Sequence, residues 1–194
     1  MRLGSYWAAL LATCVLAVGC SSATRRPAHA GGDFVFEQQY DRAFGELGDE
    51  HGLRTSAVEW FVGHWDDAGP RLRRLVVEET LAPQHPLGAS RALHVLGAAG
   101  HPADIALLGY LARTSPLESS MTPADAISAL RASEAPAAEP ELVHIVRVGP
   151  PAVARLAARA LAQRGAPPNV YCDALQSREE SLEDLISDKC KVAE

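Results

Sequence analysis

Between residues 36 and 186 the apolar positions recur every three or four residues, the period of helices that bury one face. Phe36, Tyr40, Phe44 and Leu47 make the first stripe, after Asp33. Leu72, Leu75 and Val76 make a second, Ile105, Leu108 and Leu111 a third, and Leu142, Ile145 and Val146 a fourth. Leu182, Leu185 and Ile186 form the last. No stretch alternates convincingly with period two, so the pattern predicts an all-α fold. Start signals agree: Ser56 with Glu59 and Thr122 with Asp125 read as capping boxes, Pro123 suits a first helical position, and Ser177 with Glu180 opens the final helix.

The stripes belong to a repeat. Three segments align without gaps: 92–102, 126–136 and 157–167 each have Ala, then Leu four residues on, then Pro six after that. Their prolines, Pro102, Pro136 and Pro167, lie 34 and 31 residues apart. Stepping back by one period reaches Pro70, which predicts a fourth, degenerate copy whose hairpin turn holds Asp66 and Asp67. Each copy reads as a helical hairpin, with Ala admitting a close neighbour and Pro ending one helix or opening the next.

The run Ser90-Arg91-Ala92-Leu93-His94-Val95-Leu96-Gly97-Ala98-Ala99-Gly100-His101-Pro102-Ala103-Asp104-Ile105-Ala106-Leu107-Leu108 resembles the HEAT repeat. The resemblance is closest over 88–114, looser over 122–176 and weakest over 55–82. It implies a short α-solenoid of about four hairpins, roughly 55–82, 88–114, 122–148 and 150–176. The stripe from Phe36 to Leu47 is then an N-terminal cap and 177–194 a C-terminal cap, both needed because an unpaired apolar face would meet water. In HEAT arrays the second-helix layer often binds a partner. Counting from each turn proline, offset eight is Glu78, Tyr110 and His144, and offset eleven is Arg113, Arg147 and Arg178. These residues form a candidate partner-binding row. For the arginines the competing reading is a cation at a helix C-terminus, complementing free carbonyls.

Ahead of the repeats lies an export signal. Arg2 is the only charge before Arg25, and the apolar run from Tyr6 to Gly19 would cover about 21 Å as a helix, short of a bilayer core of roughly 30 Å. Leu16-Ala17-Val18-Gly19-Cys20 resembles a bacterial lipobox, with Ala17 where Leu is usual. That resemblance implies removal of 1–19 and acylation of Cys20, palmitate included. Ser21 after the cysteine points to the outer membrane, with the domain facing the periplasm. The alternative is an uncleaved anchor over Leu3 to Cys20. Residues 20–33 then read as a lipidated flexible tether before a domain spanning 34–194.

Cysteine use follows from that address. Cys14 leaves with the signal and Cys20 carries lipid, so Cys172 and Cys190 remain as one pair in an oxidising compartment, expected to be a disulfide. A redox pair or metal site is the weaker alternative, since there is no Cys-x-x-Cys and no His follows His144.

Charge and composition narrow function by exclusion. The net charge is −6, with 16 Arg and 2 Lys, so no broad cationic surface is available for nucleic acid. The chain has no zinc-protease helix motif, nucleophile elbow or phosphate loop. No catalytic set, metal site or cofactor is therefore expected. Trp60, Phe61 and Trp65 read as packing between cap and first repeat, Glu78-Glu79 as solvated, and Arg71, Arg73 and Arg74 as a surface network beside Asp66-Asp67. His94 reads as a satisfied polar contact. The expected function is a membrane-anchored envelope lipoprotein whose repeats bind or scaffold protein partners, touching the membrane through its N-terminal lipid. The alternatives are an enzyme like the HEAT-like lyases, or a purely structural envelope-assembly component.

Overall fold

A computed structural model describes residues 30–49, 52–53, 55–81, 86–115 and 123–176. The chain divides into two compact units, Met1–Glu37 and Gln38–Glu194. Of the first, the described part is 30–37, the opening turns of α1 (Ala30–Glu46), which starts three residues before Asp33. The second unit holds α2 (Thr55–Gly63), α3 (Trp65–Leu81), α4 (Pro86–Ala99), α5 (Pro102–Thr114), α6 (Pro123–Ala132), α7 (Ala138–Val148), α8 (Pro151–Gln163) and α9 (Pro168–Gln176). Its only described strands are a two-residue antiparallel pair, β1 (Gly48–Asp49) and β2 (Gly52–Leu53), with Gly48 opposite Leu53. The fold is all-α and built from stacked helix pairs. No helix among the described residues is long and apolar enough to cross a membrane.

The stack has two layers. Helices α2, α4, α6 and α8 pack each on the next, and so do α5, α7 and α9. The broadest interfaces join α4 to α6, α7 to α8, α3 to α4 and α5 to α6, each larger than the contact within any hairpin. Neighbouring repeats therefore hold one another more than each hairpin holds itself, as expected when a unit cannot bury its apolar face alone. Leu72, Val76, Leu93, Leu96, Leu108, Leu130, Leu142, Ile145 and Leu161 are fully enclosed between the layers.

Three hairpin turns fall where the prolines place them. Pro102 is the first residue of α5, Pro136 precedes α7 by two, and Pro167 immediately precedes α9. Gly100 closes α4 at φ +68°, a conformation that side chains disfavour, and its N–H reaches the Leu96 carbonyl. Gly165, at φ +82°, closes α8 with paired bonds from Gly165 N–H to Ala162 O and from Ala166 N–H to Leu161 O, a Schellman end.

The first hairpin departs from the prediction. Its turn is at His64, and Pro70 lies inside α3, at its sixth position. The His64 N–H bonds back to Trp60 and Phe61, while its carbonyl accepts from Asp67 and Ala68, so α3 restarts at once. Asp66 and Asp67 thus occupy the first turn of α3, where carboxylates favour the helix dipole. Gly69, the other half of the apparent Gly-Pro turn, is buried against Trp65; a Cβ there would come within 2.8 Å of the indole. Ser56 lies inside α2 rather than capping it, and Thr122 lies outside the described residues.

The aromatics of α1 and α2 pack against one another as expected, whereas Trp65 stacks on His101 of the next repeat. Tyr40 and Phe44 of α1 meet Phe61 edge-on at 5.3 and 6.3 Å, and Trp60 stands edge-on to Tyr40 at 6.4 Å. Phe61 and Leu47 are fully buried. Such edge-to-face pairs add about 1 kcal/mol each beyond area burial.

Candidate binding faces

The polar residues of the second unit are used first to tie repeat to repeat. Arg73 on α3 makes a bidentate pair with Asp104 on α5, Nε to Oδ1 at 2.6 Å and Nη2 to Oδ2 at 2.9 Å. The Asp104 side chain is 1% exposed, that of Arg73 37%. Asp104 raises the Arg73 guanidinium above its usual range, chiefly by this hydrogen bonding and against the cost of burial. Trp65 flanks the pair: it lies under Arg73 at 5.6 Å and stacks on His101 at 5.0 Å. The arginine cluster is therefore not a network with Asp66-Asp67. Arg73 turns to the next repeat, and Arg71 lies over the Tyr40 ring at 5.5 Å.

The same device recurs. Arg113 on α5 pairs with Glu141 on α7. Gly109 makes the room, since a Cβ there would collide with the Glu141 side chain. Ser90 on α4 donates to Asp125 on α6 at 3.1 Å, and Arg131 on α6 donates to the Gln163 amide oxygen on α8 at 2.8 Å. Arg164, just after α8, donates to the Leu130, Arg131 and Ser133 carbonyls, covering the C-terminal end of α6 with positive charge. The partners are 28 to 35 residues apart in each case, one repeat.

The predicted row is only partly assembled. Tyr110 on α5, 57% exposed, and His144 on α7 are both at the surface. Their phases match, because buried Asp104, Leu108, Leu111 and Ala112 correspond to Ala138, Leu142, Ile145 and Val146. Glu78 on α3 is exposed too, on the same phase, since buried Leu72, Val76 and Glu79 are spaced as Asp104, Leu108 and Leu111 are. Of the arginines, Arg113 is half-buried in its pair with Glu141, Arg147 is exposed on α7, and Arg178 lies outside the described residues. Glu79 is 3% exposed rather than solvated.

A second face lies on the other layer. Between α6 and α8 runs an open groove of about 270 Å³, lined by Ile127, Ser128, Arg131, Leu156, Arg159, Ala160 and their neighbours. Small residues at Ala124, Ser128 and Ala160 leave this space, and spacing alone did not mark it. In the same layer, His94 on α4 is half-buried. Burial pushes its imidazole below the ordinary range, the Asp125 carboxylate opposes that shift, and the Arg131 guanidinium adds to it. The folded state therefore favours neutral His94, and the unfolded chain takes up its proton first as pH falls. This contribution is complete above the unfolded pKa of about 6.5 and declines as pH drops below it. His94→Gln is expected to lose less thermal stability than the wild type between neutral and mildly acidic pH; equal losses by calorimetry would count against it.

Among the described residues no group of three His, Cys, Asp or Glu side chains could hold a metal. Cys172, buried on α9, is disulfide-bonded; Cys190 and Cys20 lie outside the described residues. Fold and faces together define an all-α helical-repeat protein. No protein-family profile matches the chain, and no curated protein or solved structure shows significant similarity to it.

Proposed function

We propose that this chain is an envelope lipoprotein, anchored at the outer membrane through acylated Cys20 and facing the periplasm, whose HEAT-like repeats form a protein-binding or scaffold module. The anchor rests on Leu16-Ala17-Val18-Gly19-Cys20 at the end of an apolar run. Several acyl chains on one cysteine supply stable attachment, at about 0.8 kcal/mol per buried CH₂.

One observation carries the binding reading: a series of charged side chains is spent on the joints between repeats. Arg73, Asp104, Arg113, Glu141 and Arg164 all hold one repeat to the next. That arrangement stiffens a stack and leaves its two layers as display surfaces. It suits recognition, which profits from a rigid, preorganised face.

The test combines lipid labelling with fractionation. Wild type should incorporate an alkynyl palmitate analogue and sediment with membranes, whereas Cys20→Ala should do neither. A Cys20→Ala protein that stays in the membrane fraction would overturn the lipoprotein reading.

A further inference from the structure

Charge is unevenly divided between the layers. Helices α2, α4, α6 and α8 carry Arg91, Arg131, Arg155 and Arg159 against two carboxylates, Glu59 and Asp125, in a chain of net charge −6. The groove between α6 and α8 lies within this basic strip. Ile127 and Ala160 are buried beneath it, Leu156 is half-buried, and Arg131 and Arg159 are exposed at its edge.

Those two guanidiniums are the exception to the pattern of inter-repeat ties. Arg73 and Arg113 each meet a carboxylate one repeat away. At the next junction Arg131 meets only the neutral amide of Gln163. Neither Arg131 nor Arg159 has an acidic partner among the described residues. An apolar trough is thus bordered by two cations that meet no anion among the described residues.

We propose that this groove docks an acidic amphipathic helix of a partner protein. Apolar side chains of that helix at i and i+4 enter over Ile127, Leu156 and Ala160, and flanking carboxylates pair with Arg131 and Arg159. The lining runs, Ala124 to Arg131 and Leu156 to Gln163, each rise about 10 Å, which matches two turns of a bound helix. Charge complementarity selects the sign. Screening confines each charge to about 8 Å at physiological salt, so the local basic strip, not the net negative charge, governs what docks.

This inference deepens the binding-module reading and rests on it. The probe is a labelled helical peptide of about fifteen residues, with Leu at i and i+4 and Glu beside each, titrated by the full-length chain. Its controls are the same peptide with every Glu replaced by Gln, or by Lys. Fluorescence anisotropy should show saturable binding of the acidic peptide, about tenfold weaker binding of the Gln peptide, and weakening as salt shortens the Debye length. Arg159→Glu, at an exposed position, should lose about tenfold for the acidic peptide and prefer the Lys peptide. Equal affinity for the Glu and Gln peptides, indifference to Arg159→Glu, or no saturable binding would overturn the proposal. So would concentration-dependent self-association that Arg159→Glu abolishes, because the occupant would then be a second copy of the chain. Photo-crosslinkers placed in the envelope at Arg159 and at Tyr110 separate the two readings. Crosslinks from Tyr110 alone reject the groove and keep the module; crosslinks from neither reject both.

Discussion

Arg73→Met is expected to destabilise the repeat stack by about 3 kcal/mol. Asp104 is 1% exposed and both its oxygens are held by Arg73. Removing the guanidinium leaves a buried carboxylate without its counter-ion, a change that costs about 3–5 kcal/mol at fully buried pairs. Arg73 itself is 37% exposed, so water can enter beside Asp104 and the lower end applies. At about 2–4 °C per kcal/mol for a chain of this size, the melting midpoint should fall by roughly 6–12 °C. The double variant Arg73→Met, Asp104→Leu should recover much of that loss, because an apolar pair of similar volume needs no counter-ion. Urea titrations of both variants check the argument. A single variant within about 1 kcal/mol of wild type would mean that solvent already satisfies Asp104.

Gly97→Val is expected to destabilise by about 3 kcal/mol, with Gly97→Ala intermediate. Helix propensity alone argues the other way, since Gly to Ala inside a helix gains about 1 kcal/mol. Packing decides the sign. A Cβ on Gly97 would come within 2.7 Å of the Ala129 carbonyl oxygen and 3.3 Å of the Ala129 Cβ. The obstacle is backbone, so no rotamer change relieves it, and α4 must move away from α6 at a cost of about 1–3 kcal/mol. Valine adds two methyl groups to the same contact and leaves no compensating gain. Ala98, the exposed neighbour on the same helix, is the control and should tolerate Ser within about 0.5 kcal/mol. Thermal melts of the three variants measure this; a stabilised Gly97→Ala would show that propensity outweighs the close approach.

Much of the fold was legible because helix pairs announce themselves through local chemistry. Prolines 102, 136 and 167 mark real turns, and Ala and Leu four residues apart mark faces that meet a neighbour. The reading failed at Pro70 for a physical reason. Gly69-Pro70 looks like a turn, yet Gly69 is small to admit the Trp65 ring, and the hairpin reverses earlier, at Gly63 and His64, with no proline to mark it. The ties between repeats were not legible, because an arginine and its partner 31 residues later leave no local trace. The groove was invisible for a similar reason: it arises from small side chains on two helices that spacing alone does not bring together.

The ties have a last consequence, for rearrangement rather than stability. Splicing out α4 and α5 would bring α7 opposite α3, and the position matching Asp104 is then Ala138, fully buried and uncharged. Arg73 would face a methyl group. Arg113, whose answering residue is Glu141, would leave with the excised pair and strand that carboxylate in turn. Each junction is a lock cut for one key, so similar as the hairpins look, their order along the chain is not interchangeable.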